Sequence, residues 1–300
     1  MPLKMSEPTG QNGNNNPHSE PPPPHYEATQ YNTYASKYHL IKRLPSTYIE
    51  TANFRAAAAP FIPQARILDL ACGTGYYSRQ LLEWGAKAVV GVDVSEGMIS
   101  VAEESIASVP TAEGTLKFRV GDARTLGVVE GGGYDLVTGV WLLNYATNAE
   151  ELRAMFEGIA ANLKADGAFA GITTRPIPAA EMDIHKTYND RIRAKKQESW
   201  GMDVRYAERL ESGGWRIDIS TLGQLGQDGV KFTTFHLPME AYHTAAREAG
   251  MNGRFGWREV RLEGEDREEA VRDAGEAFFR EYFEDIGPHF GVLVVEKGGS

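Results

Sequence analysis

Two carboxylates and two glycines near the front of this chain are the residues best placed to do chemistry. Asp69 lies in a short apolar run, Arg66-Ile-Leu-Asp-Leu70. Gly73 and Gly75 follow at once, and Asp93 closes a second apolar run, Ala88-Val-Val-Gly-Val-Asp93. The glycines remove Cβ atoms where a ligand must approach the backbone. Asp93 stands at the spacing expected of a carboxylate that accepts both hydroxyls of a ribose. A dinucleotide turn would read Gly-x-Gly-x-x-Gly, whereas here the third position is Ser78, with Tyr76 and Tyr77 between. Those side chains are expected to crowd a pyrophosphate, and Asp69 should repel phosphate while attracting an ammonium group.

The elements that must hold these groups follow from the pattern. Arg66 to Leu70 reads as a buried strand, Ala71 to Gly75 as a turn, Tyr76 to about Gly85 as a helix, and the run ending at Asp93 as a second strand. Short apolar runs separated by a helical pattern argue for parallel strands covered by helices. A ligand with a ribose and an ammonium but no phosphate suits the mouth of this unit, and S-adenosylmethionine has those features.

Asp69-Leu-Ala-Cys-Gly-Thr-Gly75 resembles motif I of the class I S-adenosylmethionine-dependent methyltransferases, with Ala71 in place of the first glycine. Gly91-Val-Asp93-Val94-Ser-x-x-Met98 is similar to that family's ribose-binding turn. The resemblance covers about residues 30–175. It implies a doubly wound α/β sheet of seven strands, mostly parallel with the last antiparallel. It also implies cofactor contacts from Asp69, Ala71, Cys72, Gly73, Gly75, Asp93, Val94 and Met98. Leu116 to Val120 reads as the third strand, and its end, Gly121-Asp122-Ala123, matches the position at which the family receives the adenine amine. Tyr134 to Val140 reads as the fourth strand; Val140 and Trp141 at its end would border the cofactor, with Trp141 lying against adenine or only filling the layer between sheet and helix. Tyr145 follows on the acceptor side. Absence of Asn/Asp-Pro-Pro-Tyr there argues against adenine methylation.

Composition narrows the partners. The net charge of −10 and pI near 5.3 are unfavourable for a phosphate backbone, so no nucleic-acid partner is expected. Arg191, Arg193, Lys195 and Lys196 form the densest basic group and read as a solvated helix face. One cysteine, Cys72, rules out an intrachain disulfide and a Cys-rich zinc site. No apolar run approaches a membrane span, and a cytoplasmic enzyme without a metal is the expectation; the oligomeric state is not legible.

Residues 1–25 hold seven of the fifteen prolines and read as a disordered tail. Residues 26–62 read as lid helices. Tyr31, Ala35 and Tyr38 share a helical face. In many small-molecule methyltransferases a Tyr-x-x-x-Ala-x-x-Tyr helix closes over the cofactor, and this stretch is similar; packing on the sheet edge is the alternative. A ring over a sulfonium would contribute about 0.5–2 kcal/mol. Tyr34 would face the acceptor.

Residues 63–300 then form the main domain. Glu150 to Lys164 has the apolar stripe of a buried helix, and Ala168 to Thr174 reads as the fifth strand. Residues 175–228 read as a polar, partly helical substrate cover inserted between strands five and six. Val230 to His236 reads as a strand, Pro238 to Gly250 as a helix, Arg267 to Phe283 as an acidic helix and Phe290 to Glu296 as the last strand. The Leu44-Pro45 step before Tyr48, with the ending Phe278-Phe-Arg-Glu-Tyr-Phe283 and Pro288-His-Phe-Gly-Val-Leu293, resembles methyltransferases of toxoflavin-type biosynthesis. That implies a small-molecule acceptor in secondary metabolism, methylated on N or O.

Methyl transfer needs a general base only for an acceptor protonated at working pH. His185, His236 and His243 are the candidates, His185 and His236 lying on the substrate side. Arg175, just past the fifth strand, is placed to hold an acidic substrate. The competing readings are a methyltransferase fold acting as a cyclase or scaffold, and a nicotinamide-dependent oxidoreductase.

Overall fold

A computed structural model of the chain describes residues 28–32, 35–106, 115–183, 202–221 and 230–298. The proline-rich stretch 1–25, Tyr34, His185 and the basic group at 191–196 lie outside the described residues.

The central sheet has seven strands in the order β3-β2-β1-β4-β5-β10-β9. They are β1 (Arg66–Leu70), β2 (Ala88–Asp93), β3 (Leu116–Val120), β4 (Tyr134–Val140), β5 (Leu163–Thr174), β9 (Phe255–Arg258) and β10 (Phe290–Glu296). β1 pairs in parallel with β2 and β4, β2 with β3, and β4 with β5. β10 runs antiparallel between β5 and β9. Order reverses at β1, so the crevice at the carboxyl ends of β1 and β4 is the topological switch point where ligands bind in open α/β sheets.

Both faces are covered. Helices α1 (Ser46–Ala58), α2 (Tyr76–Glu83) and α3 (Glu96–Ile106) lie on one face with α6 (Gly264–Ala274) and α7 (Glu276–Arg280). On the other face lie α4 (Ala149–Asn162) and α5 (Met239–Glu248). Near-continuous burial along β1, β2 and β4 is what a sheet covered on both sides requires. Asn148 caps α4 by accepting from Glu151 N at 3.0 Å, and the Glu151 carboxylate reaches back to Thr147 N at 2.8 Å. Leu152, Met155, Phe156 and Ile159 then bury one stripe of that helix, giving it the tertiary support a short helix needs.

The sheet agrees with the seven-stranded expectation, and three local readings are corrected. Lys231–His236 (β8) is not a strand of the main sheet. It joins β6 (Met202–Arg209) and β7 (Trp215–Thr221) in a separate antiparallel sheet ordered β6-β7-β8. The acidic stretch 267–283 is not one helix. Gly275 at φ +84° separates α6 from α7, and α7 runs into a π-helical turn, Glu281–Ile286. The tyrosines of the N-terminal segment sit on two 3-10 turns, Ala28–Tyr31 and Ala35–Arg43.

Gly75 opens α2 at φ +74°, where a side chain would be strained and a Cβ would stand 2.5 Å from the Phe118 ring. Gly75→Ala should therefore lose roughly 2–4 kcal/mol of stability. Urea denaturation reads this as a lower midpoint, and an unchanged midpoint would contradict the packing described.

Candidate functional site

A cavity at the carboxyl ends of β1, β2 and β4 holds about 690 Å³ when the open solvent at its mouth is included. Asp93 stands on its wall. Its Oδ2 accepts from Gly73 N at 2.8 Å and its Oδ1 from Ser95 N at 2.9 Å. Burial raises the Asp93 carboxyl, against the lowering effect of those backbone N–H groups. A carboxylate oxygen accepts more than one hydrogen bond, so both retain capacity for ribose hydroxyls.

Asp122 lines the same cavity past β3. Arg124 forks onto it, with Nε to Oδ1 at 3.0 Å and Nη2 to Oδ2 at 2.6 Å. Desolvation works to raise the Asp122 carboxyl, but the Arg124 hydrogen bonds and charge outweigh it and the net direction is down. Asp122 therefore stays ionised and able to accept from an amine.

Leu70, Val92, Met98, Val140 and Leu142 add apolar walls to the cavity. Ala71 and Trp141, the residues that end β1 and β4, both hold positive φ, +56° and +62°. Such backbone costs about 1–3 kcal/mol and persists where the surroundings over-determine it, often at functional sites. Trp141 N donates to Ile172 O at 2.8 Å, which fixes the ring at the cavity rim.

The N-terminal segment closes one side. Tyr31 and Tyr38 line the cavity, their rings edge-to-face with centroids 6.1 Å apart. Tyr31 also meets Tyr145 edge-to-face at 6.1 Å, shares a hydroxyl hydrogen bond with it, and lies 5.8 Å from Phe232 of β8. Asn32 Oδ1 accepts from Ser95 Oγ at 2.6 Å and Gly97 N at 3.1 Å, while Gln30 Oε1 accepts from Thr233 N at 3.2 Å. The segment thus straps the start of α3 to the cover sheet across the cavity.

Tyr31, Tyr38, Ala71, Gly73, Asp93, Val94, Met98, Gly121, Asp122, Ala123, Val140, Trp141 and Tyr145 line this one cavity. Asp69, Cys72 and Gly75 do not. Asp69 is buried, its Oδ2 accepting from Ser78 Oγ at 2.6 Å and its Oδ1 from Thr138 Oγ1 at 2.8 Å. Burial lifts its carboxyl to about 6, against the Ser78 and Thr138 hydroxyls, with Asp93 adding to the rise. It ties β1 to α2 and β4 and does not line the cavity. The Cys72 thiol is buried and pushed well up by desolvation and then by the charges of Asp93 and Asp69, so it stays protonated. Gly75 faces Phe118. Tyr77 packs against Phe54 at 5.1 Å and Tyr76 against Tyr77, and neither lines the cavity.

His236 is also corrected. It is 1% exposed, and its Nε2 lies 2.6 Å from Arg175 O. A carbonyl only accepts, so Nε2 carries the proton and Nδ1 accepts from Tyr206 OH at 3.2 Å. Burial pushes its pKa down to about 4, opposed by the bond to Arg175 O and helped by the Arg175 charge. It is a neutral clamp between cover and core and does not line the cavity. His243, on α5, packs against Phe255 and does not line the cavity.

Sequence reasoning missed Leu70, Val92, Arg124, Leu142 and Met155 in the cavity wall. It also missed His289, whose ring stacks on Trp141 at 5.9 Å and 18° and whose Nδ1 lies 3.1 Å from Tyr282 OH. His289 was visible only inside the Pro-His-Phe-Gly ending. Among the described residues no acidic, histidine or cysteine group is arranged to hold a metal ion, and no helix is long and apolar enough to cross a membrane.

Residues 67–167 match the family described as "Methyltransferase domain", about a third of the chain. The chain is 30% identical over 161 residues to YqeM of Bacillus subtilis, a protein designated a methyltransferase, and the match covers 53% of this chain and 62% of that one. The chain thus spans about three fifths of the length of that curated relative. Among solved structures, CcbJ methyltransferase from Streptomyces caelestis superposes with TM-score 0.56 at 18% identity, over 92% of this chain and 100% of that one. Magnesium protoporphyrin IX methyltransferase from Synechocystis, solved with S-adenosylhomocysteine, gives 0.52 at 16%, over 89% and 96%. At such identities these likenesses speak for the fold.

The cavity fits the family's cofactor, S-adenosylmethionine. A Cβ on Gly73 would meet only Tyr38 Cε1, at 3.8 Å, so any larger side chain there would project into the space. The start of α2, where a diphosphate would sit in a dinucleotide fold, is instead packed against Phe118 and Arg79.

Proposed function

We propose that the protein transfers the methyl group of S-adenosylmethionine to a small-molecule acceptor, on nitrogen or oxygen, by direct displacement. The observation that carries this is one cavity lined by Asp93 and Asp122, at the ends of the adjoining strands β2 and β3, together with Trp141 past β4. Asp93 would accept the ribose hydroxyls and Asp122 the adenine amine; Gly73 leaves room beside Tyr38, and Tyr31 and Tyr38 would screen the sulfonium. The cofactor brings a methyl group already activated by positive sulfur. What these residues add is orientation and exclusion of water; well-oriented pairs gain about 7–11 kcal/mol of barrier from proximity, and the tyrosine strap keeps solvent out.

The acceptor would enter between the ends of β4 and β5, the strap and the three-stranded cover. Tyr145 stands at that entrance. Asn144 beside it has a buried Oδ1 with no hydrogen-bond partner among the described residues. Placement in secondary metabolism follows the toxoflavin-type resemblance, and a cytoplasmic location is part of the same reading.

Incubation of the full chain with S-adenosylmethionine and a pooled small-metabolite extract tests the proposal. The expected product is an acceptor heavier by one methylene unit, formed with S-adenosylhomocysteine in equal amount. A product of unchanged mass would favour a cyclase, and no product from any pool would remove the transferase reading.

A further inference from the structure

Arg175 is the residue after β5, half-buried, and its surroundings come from three further elements. Its carbonyl is held by His236 of β8. Its charge acts on Tyr206 of β6, on His236, and on Tyr282 of the π-helical turn. Its Nη1 lies 3.7 Å from where a Cβ on Gly287 would stand. Gly287, at φ +77° and ψ 159°, is in a conformation essentially confined to glycine, and any side chain there would come up against the guanidinium.

No carboxylate among the described residues forms an ion pair with Arg175, and its guanidinium makes no hydrogen bond to them. Every titratable neighbour named above is neutral at pH 7. His236 is pushed to about 4 by burial, and burial raises the Tyr206 and Tyr282 hydroxyls. Glu50, an acid that acts on Tyr282, is itself paired with Lys42 at 3.4 Å. A half-buried fork of N–H donors facing neutral groups is poorly compensated. It is the arrangement that recognises a planar or tetrahedral oxyanion by paired hydrogen bonds.

The position ties it to the methyl-transfer site. Trp141, on the cavity wall, stacks on His289. His289 is bonded to Tyr282, and Tyr282 feels the Arg175 charge. This aromatic wall runs from the cofactor cavity to the turn in which Tyr282 O accepts from Gly287 N at 2.8 Å, and Gly287 is the residue beside the guanidinium.

We infer that Arg175 anchors the acceptor, which is therefore an anion: a small molecule carrying a carboxylate or a phosphate monoester at the end remote from the methylated atom. This rests on the methyltransferase reading above and adds the charge of the substrate to it.

Calorimetric titration of the full chain, first with S-adenosylhomocysteine and then with benzoate, phenyl phosphate or benzamide, tests it. The two anions present the same ring with either oxyanion, and benzamide is the neutral control. At least one anion should bind saturably to the wild-type protein, with benzamide at least about tenfold weaker. Whichever anion binds tighter names the group. Arg175→Gln should weaken that anion at least about tenfold and leave S-adenosylhomocysteine affinity and thermal stability unchanged, because only the backbone carbonyl of Arg175 is bonded to described residues. Arg175→Lys should restore part of the binding. Anion binding equal in wild type and Arg175→Gln, or no anion binding with the nucleoside bound, overturns the inference alone. Failure of S-adenosylhomocysteine itself to bind overturns the methyltransferase reading instead.

Discussion

Asp93→Ala should weaken binding of S-adenosylhomocysteine by about a hundredfold or more. Two ribose hydroxyls would donate to its carboxylate, and hydrogen bonds to a charged group contribute about 1.5–3 kcal/mol each. The lower end of their sum, about 3 kcal/mol, is roughly two decades of affinity. Sequence spacing alone suggests that the fold would be indifferent to this change, and the structure corrects that. The same carboxylate holds Gly73 N and Ser95 N, so Asp93→Ala also frees two backbone donors and should lower the melting temperature. Asp93→Asn separates the effects, because its one carbonyl oxygen keeps part of the turn while the charge is lost. Binding by Asp93→Ala as tight as wild type would remove Asp93 from the site.

The second large effect is a change in acid stability on His236→Gln. His236 titrates near 6.5 when unfolded and at about 4 in the fold, chiefly through burial. Between those values the unfolded chain binds the extra proton, so stability is full above 6.5 and is lost as pH falls towards 4. The loss is roughly 3 kcal/mol from this one group. Asp69 acts in the opposite direction. Its carboxyl is raised to about 6 by burial, so the folded protein binds the proton first and Asp69 withdraws stability as pH rises from 4 to 6. Wild type shows the sum of the two. His236→Gln should be less stable than wild type at pH 7.5, where it loses a fitted clamp between Tyr206 OH and Arg175 O, and should close that gap by pH 4.5. Urea denaturation at the two pH values measures it. A gap that stays constant would mean His236 is not buried as a neutral group.

How much of this was legible depended on how local each signal is. The strands β1, β4 and β10 lie where their apolar runs put them, because a strand buried on both faces needs a continuous apolar run, while the half-exposed β3 follows its alternation of Leu116 and Phe118 with Lys117 and Arg119. The carboxylates at the ends of β2 and β3 were legible too, since each closes such a stretch. Asp69 was misread by a single step of the pleat. It precedes the strand end by one residue, so its side chain enters the layer between sheet and helices, while Leu70 and Ala71 reach the cavity. The cover strands β6 and β7 alternate charged with apolar residues and belong to a small sheet with little buried area, a pattern that polar composition disguises. β9 is four residues with Gly256 inside and becomes a strand only because β10 offers it an edge. His289 could not have been found from spacing, because its neighbour Trp141 lies far off in sequence and the two meet through the order of strands.

Titration of the purified chain with S-adenosylhomocysteine, and separately with NADH, tests most directly whether acids at adjoining strand ends select a phosphate-free nucleoside. The account predicts saturable one-to-one binding of S-adenosylhomocysteine and none of NADH. Tight binding of NADH with no response to S-adenosylhomocysteine would contradict it.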